Sequence, residues 1–229
     1  MSVKENGRHL GTLTETPLGF TAGYYTSRVL NSASLPEAEA FQHLRFDYFV
    51  QQRGWVAEDP AHPGRESDCY DPSSQHLAVF KDERLVAYMR ALPWRAECGF
   101  MLEHEFCSLV PTEAERHLVR HVNAVELTRL VVASHPVLSL REVPLVSELL
   151  FKLFYQSAQR QGWEHLYIVV EQGWLPVFRR RFGFSFKPLG PPHTFPDGTR
   201  TVAAQAHLMD LEAALAQNCP EKLHWYREL

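Results

Sequence analysis

The chain contains no apolar run approaching the roughly 18 residues that a bilayer-spanning helix requires. No membrane insertion is therefore expected. Its first residues, MSVKENGRHLGTLTETPLG, are polar and lack the apolar segment of a signal peptide, so a cytoplasmic location is expected. Cysteine is scarce. Cys69, Cys98, Cys107 and Cys219 form no C-x-x-C pair, which excludes a zinc ribbon or a thioredoxin-type site. In a cytoplasmic protein they are expected to be free thiols. A basic excess is also missing. The net charge of −4 argues against a dedicated nucleic-acid binder. There is no internal repeat, no H-E-x-x-H and no acidic loop with the oxygen-ligand spacing of a calcium site. His117 and His121 would share a helix face, but no third ligand stands at a telling distance. A solvated helix face and no metal are expected there.

The remaining composition is that of an ordinary globular chain, 45% hydrophobic and 22% charged. At 229 residues it reads as a single domain, 1–229, with residues 1–20 as a loose N-terminal arm. Gly23 to Asn31 is aromatic and β-branched, which predicts a strand. Ser34-Leu35-Pro36-Glu37 has the pattern of a capping box and starts a helix. Phe41, Leu44 and Tyr48 line its apolar face, and Gly54 ends it. A long Pro- and Gly-containing loop follows, and loops of that length are usually functional or mobile. His76–Phe80 and Leu85–Leu92 predict a hairpin. Short helices are expected near Leu102–Phe106 and Thr112–His121, then a β-branched strand Val125–Ala133. Val143–Gln161 has a helical apolar stripe at Val146, Leu149, Leu150, Leu153 and Phe154. After it come a strand Leu166–Val170, a helix Leu175–Phe182, a strand pair Phe184–Pro188 and Thr201–Met209, and a last helix Asp210–Gln217. A hairpin combined with crossover units implies an α/β fold, a three-layer α-β-α sandwich with a mixed central sheet.

Several polar residues stand where solubility alone does not require them. Arg45 and Phe49 are one helical turn apart and so share a face. Together they can grip a carboxylate and pack a planar group, and Trp55 just beyond could complete an aromatic wall. A snorkelling Arg beside two core aromatics explains the same three residues. Glu66, Asp68 and Asp71 would repel one another unless a cation, a metal or an arginine such as Arg90 sits among them. Glu126 and Arg129 interrupt an apolar strand. In a regular strand they face opposite sides, whereas a β-bulge between them brings both to one face. Glu126 would be a general base if it reached a cleft, or otherwise part of a structural ion pair. Arg179, Arg180 and Arg181 form a basic cluster suited to an acidic partner or phosphate, although such a run is more often a solvated helix face.

In this order, these residues resemble the acyl-homoserine lactone synthases, the autoinducer makers of bacterial quorum sensing, over about residues 40–210. The matching pieces are Arg45, Phe49 and Trp55, then Glu66-x-Asp68-x-Tyr70-Asp71, Arg90, Phe106 and Glu126-x-x-Arg129. Gly173-Trp174-Leu175-Pro176, Phe182-Gly183-Phe184 and Pro188-Leu189-Gly190-Pro191-Pro192 also look like this family. The resemblance implies an N-acetyltransferase-like fold and an acyltransferase. The enzyme would pass an acyl group from acyl carrier protein, or acyl-coenzyme A, to the amine of S-adenosylmethionine. The carboxylate would then close a lactone and release methylthioadenosine. By the same resemblance, Arg45, Phe49, Trp55, Asp68, Asp71 and Arg90 bind S-adenosylmethionine, and Glu126 with Arg129 is catalytic. Phe106, Phe151, Phe154, Trp174 and Phe178 form the acyl pocket, and Arg179–Arg181 the carrier-protein patch. Both reactants are substrates, so no cofactor is expected.

The chain departs from the simplest family picture at three points. Its extension before Arg45 is long. Ser134 to Leu140 is not the Gly-rich turn that holds a coenzyme A pyrophosphate, which favours a carrier-protein donor. Ile168-Val169-Val170-Glu171 offers no threonine for a 3-keto group, which favours an unsubstituted chain. The competing readings are an N-acyl amino acid synthase, which makes no lactone, and a non-catalytic acyl-carrier-binding module on the same fold.

Overall fold

The computed structural model describes residues 19–30, 34–133 and 136–228. Among the described residues, nine strands and seven α-helices run in the order β1 (Gly19–Ala22), β2 (Tyr25–Leu30), α1 (Leu35–Arg45), β3 (Gln75–Lys81), β4 (Arg84–Pro93), α2 (Met101–His104), α3 (Thr112–Glu115), β5 (Ala124–Val132), α4 (Glu142–Gln161), β6 (His165–Glu171), α5 (Trp174–Val177), β7 (Lys187–Pro188), β8 (His193–Thr194), β9 (Arg200–His207), α6 (Leu208–Asn218) and α7 (Pro220–Arg227).

Strand alternation sets the layers. Leu77 and Val79 of β3, with Ala87, Met89 and Ala91 of β4, point to one face and bury against the stripe Val146, Leu149, Leu150, Leu153 and Phe154 of α4. Ala78 and Tyr88 point to the other face and meet Leu30 of β2 and Phe41 of α1. The sheet therefore has helices on both sides, as the sequence implies. Its order is β1-β2-β3-β4-β5-β6-β9-β7, with β8 also paired to β9. Every pairing is antiparallel except β5 with β6. That parallel pair is made by a crossover through α4, which is why the longest helix packs across the sheet.

Several boundaries differ from expectation. The arm expected over residues 1–20 lies outside the described residues except for Gly19 and Phe20, which belong to edge strand β1. Gly23 adopts φ +62 and lets the chain turn back, so Phe20 packs partly on the core. Asn31, the expected end of the next strand, also lies outside them. The Ser34 side chain makes no cap bond, and Glu37 pairs with Arg28. The first helix does end at Gly54, which adopts φ +61, as expected, but its last part, Phe46–Gln52, is π-helical. α3 ends at Glu115, so His117 and His121 share no helix face. The strand expected over Phe184–Pro188 shrinks to Lys187–Pro188, because Phe184 and Phe186 are anchored in the core. α7 was not anticipated. Its Tyr226 is fully buried and donates to the Phe182 carbonyl at 2.8 Å. All four cysteines are free. Among the described residues, no helix is long and apolar enough to cross a membrane.

Candidate active site

The site begins where β5 and β6 part. They pair only from Ala124 to Leu127 against His165 to Ile168. Beyond that point β5 bulges. Arg90 faces Thr128 and Tyr88 faces Val131, so the single residue Met89 on β4 is opposed by Arg129 and Leu130 on β5. Arg129 sits in the left-handed region at φ +54. The close approach of Cβ to the following carbonyl oxygen makes this conformation cost about 1–2 kcal/mol for a non-glycine residue. Such strain persists only where the surroundings enforce it. Here they do, because the Arg129 guanidinium binds Glu66 Oε1 at 3.0 Å and Asp68 Oδ2 at 3.1 Å.

These contacts belong to a larger buried network. Arg45, with no exposed surface, donates to Glu66 and, at 2.6 Å, to Asp71. Arg90, equally buried, donates to Asp68, to Asp71 at 2.7 Å and to the Thr128 hydroxyl at 2.9 Å. Arg45, Arg90 and Arg129 thus balance Glu66, Asp68 and Asp71 charge for charge. Burial pushes the Glu66 and Asp71 carboxyls up. The arginines outweigh it, and both end below the usual carboxylate range. His76 accepts no part of this charge. Burial holds its pKa down to about 4, so the ring is neutral, and it bonds the Tyr88 hydroxyl at 2.7 Å and the Asp71 carbonyl at 3.0 Å.

Above the network lies a cavity of about 520 Å³. Its floor includes Thr128 and Arg129 of β5. One wall is Phe49, Trp55 and Phe106, and the other is Val169, Val170 and Glu171 of β6 with Phe195 to Thr201. The π-helical segment explains the aromatic wall. The Trp55 and Val56 amides both donate to the Phe49 carbonyl, at 2.9 and 3.3 Å. This fold-back sets the Trp55 ring 6.2 Å from that of Phe49. The Arg129 guanidinium stands 5.4 Å from the Phe49 ring centre, on the side of the network. Two contacts bridge the mouth. Trp55 Nε1 donates to Asp197 at 3.1 Å, and Arg53 reaches Glu171 at 2.8 Å while lying 4.5 Å over the Trp55 ring.

Glu126 is fully buried beneath this floor. Its carboxylate accepts from the Leu102 amide, at 3.1 and 3.3 Å from its two oxygens. Burial pushes its pKa up to about 8, against the pull of that amide and of Arg90. Arg129 Nη1 lies 3.9 Å from Met101 Sδ, so Glu126 and Arg129 converge on the first turn of α2.

Phe49, Trp55, Phe106 and Arg129 border the cavity, whereas Arg45, Asp68, Asp71, Arg90 and Glu126 do not. The charges among these residues are committed to one another, so the acids form a support under the cavity and not an open anionic wall. The expected acyl-pocket aromatics also divide. Phe151 stacks on Phe182 with centres 4.1 Å apart, Phe154 packs against Trp163, and Phe178 is buried beside them in the core. Trp174 is 44% exposed and packs on Phe178. Arg179 and Arg180 are exposed, but Arg181 is half-buried and lies 3.7 Å from Glu148. Sequence reasoning missed Arg53, Glu105 and the Phe195–Thr201 segment of the cavity. The Pro196-Asp197-Gly198 triplet is a turn signal that places this last segment between two strands.

Comparison with known proteins gives this geometry a context. A family model described as an acetyltransferase (GNAT) domain matches residues 44–136. No curated protein sequence matches the chain. Among solved structures, the CoA-dependent acyl-homoserine lactone synthase BjaI, solved with SAM and isopentyl-CoA, is 26% identical with a TM-score of 0.65. The match covers 82% of this chain and 84% of that one. The chain resembles the acyl-homoserine lactone synthases. TofI, solved in a ternary complex with an inhibitor and MTA, shares the fold at 22% identity and a TM-score of 0.65, covering 83% of this chain and 96% of that one. FeeM, an N-acyl amino acid synthase from uncultured soil microbes, shares it at 15% identity and a TM-score of 0.61, covering 90% and 99%. The chain is thus an acyltransferase with an N-acetyltransferase-like fold.

Proposed function

We propose that this acyltransferase makes an acyl-homoserine lactone from S-adenosylmethionine and an acyl thioester. The observation that carries the reading is the parting of β5 from β6 at the strained Arg129, which opens a cavity of about 520 Å³ under the Phe49–Trp55 wall. The flat aromatic wall suits an adenosyl group, and the Trp face attracts the sulfonium. Arg129, at the floor, is the guanidinium of the network that borders the cavity, so a substrate carboxylate there shares it with Glu66 and Asp68. The acyl thioester enters between the splayed strands.

The chemistry follows from these placements. The α-amine loses a proton, and its nitrogen attacks the thioester carbonyl carbon. The C–S bond breaks, and the thiol leaves with a proton. The substrate carboxylate then attacks the carbon bearing the sulfonium. A C–O bond closes the ring, and neutral methylthioadenosine departs. An α-amine has a pKa of about 7.7–8.0, so a base of similar pKa accepts its proton at little cost. Glu126, pushed up to about 8 by burial, matches it. Because Glu126 lies beneath the cavity floor, the proton reaches it through water. The enzyme's largest contribution is holding the two substrates together in the cavity.

The donor is an acyl thioester carried by coenzyme A or by acyl carrier protein. The exposed Arg179 and Arg180 suit the acidic surface of a carrier protein, while BjaI, on the same fold, is CoA-dependent. The test incubates the purified protein with S-adenosylmethionine and each donor, and follows free thiol and methylthioadenosine together. The reading predicts equal amounts of both. Thiol release that requires a free amino acid and gives no methylthioadenosine would replace it with N-acyl amino acid synthesis.

A further inference from the structure

A second cluster lies at the other end of the sheet, where β5 and β6 are pinched together. His165 opens β6 and His207 closes β9, and the two are direct partners across the antiparallel ladder. Directly opposed residues project from the same face, so both rings stand side by side. Their centres are 4.8 Å apart with the planes at 85°. Among the described residues, neither imidazole is hydrogen-bonded to a protein group. Glu164 comes to the same place from just outside the strand. Its backbone is fixed at both ends: the amide donates to the Asn123 carbonyl at 2.7 Å, and its carbonyl accepts from the Leu208 amide at 2.8 Å. One donor atom from each of Glu164, His165 and His207 lies within 4.8 Å of the other two.

From this geometry we infer that Glu164, His165 and His207 bind a divalent transition ion of the zinc class, remote from the acyl-transfer cavity. Two imidazoles and a carboxylate are the ligand types zinc takes, and one position stays open for water. Bonds of about 2.0–2.1 Å in tetrahedral geometry place donors about 3.4 Å apart, so donors within 4.8 Å of one another must close by about 1.4 Å or less. Asn123 supplies the outer support such sites need. Its Nδ2 donates to Glu164 Oε2 at 3.0 Å, which orients the carboxylate and leaves the other oxygen for the ion. Two imidazole nitrogens and a carboxylate oxygen offer lone pairs from three sides, which suits a cation. The bound ion would staple β6 to β9, and the far ends of these strands line the cavity through Val169 to Glu171 and Thr201. The inference does not depend on which acyl product the enzyme makes.

The test titrates tag-free, chelator-treated full-length protein with zinc chloride by calorimetry and repeats the thermal melt with and without the metal. One equivalent should bind and raise the melting temperature, since an ion that binds only the folded state stabilises it. His207→Ala should weaken binding by at least about tenfold, as loss of even supporting groups does at metal sites. Glu164→Gln keeps the exposed side chain's shape and the Asn123 contact, so it tests the ligand role should the histidine variant fold poorly. His224→Ala, on α7 and paired with Glu228, should bind as the wild type does. Absence of stoichiometric binding by the wild type would overturn the inference. So would unchanged binding by both His207→Ala and Glu164→Gln, which would put the ion elsewhere among the twelve histidines.

Discussion

Replacing Glu126 by Gln keeps the shape of a protonated carboxyl and removes its titration. The folded protein holds this carboxyl at about 8, against an ordinary value of 4.5, because the group is fully buried. Between those two values the folded state keeps a proton that the unfolded state has released. The free energy of unfolding must therefore fall as pH rises through that window, by about 1.4 kcal/mol per pH unit from this group alone. From about pH 5.5 to about pH 7.5 the wild type should lose about 2.5 kcal/mol that Glu126→Gln retains, slightly under two full units because neither end is fully saturated. Urea unfolding of both proteins at the two pH values measures the difference, and every other titrating group cancels between them. The Gln variant should gain on the wild type as pH rises. A gap between the two proteins that stays constant with pH would show that Glu126 is not held protonated, and would also remove the match between its pKa and that of the substrate amine.

Four further outcomes follow from the geometry. kcat/KM should peak at about pH 8 and fall on either side, because Glu126 must be unprotonated to accept the proton and the amine protonated to give it; a flat profile from about pH 6 to about pH 9 would exclude this transfer. Arg45→Ala leaves Glu66 and Asp71 buried without their common partner and should cost about 3–5 kcal/mol in denaturant unfolding. Trp55→Ala removes a half-exposed ring and should spare stability while raising KM for S-adenosylmethionine by about 2- to 30-fold, the equivalent of about 0.5–2 kcal/mol; an unchanged KM would take Trp55 out of the site. Arg129→Gly and Arg129→Ala lose the same ion pairs, yet the glycine variant should be the more stable by about 1 kcal/mol, since only glycine is at ease at φ +54; equal stability would mean the bulge relaxes when the side chain goes.

Much of this site was legible in the sequence because its parts obey local rules. The stripe from Val146 to Phe154 reads as a helix by its period, and the Lys81–Arg84 turn reads as a hairpin by its polarity. The mutual neutralisation of Glu66, Asp68 and Asp71 with arginines was one of the options that like-charge repulsion allows. Sequence alone could not choose it over a cationic ligand, because the choice depends on three arginines brought from α1, β4 and β5. The bulge at Arg129 was likewise an option raised by the awkward spacing of Glu126 and Arg129. What remained hidden is tertiary in origin. The π-helical turn that folds Trp55 back onto Phe49 leaves no periodic signature over seven residues. The Phe195–Thr201 wall reaches the cavity only because β9 inserts beside β6. The depth of Phe151, Phe154 and Phe178 is a matter of packing, which the spacing of aromatics does not reveal. Arg181 was grouped with two exposed neighbours by sequence, yet Glu148 on α4 draws it inward.

On the proposed function, the cavity between β5 and β6 joins an acyl group to S-adenosylmethionine and closes a lactone. Mass spectrometry of extracts from cells expressing the protein tests this most directly, with cells expressing a Glu126→Gln variant as the control. An acyl-homoserine lactone is expected in the first extract, strongly reduced in the second. An open-chain acyl amino acid, or no acylated product at all, would contradict it.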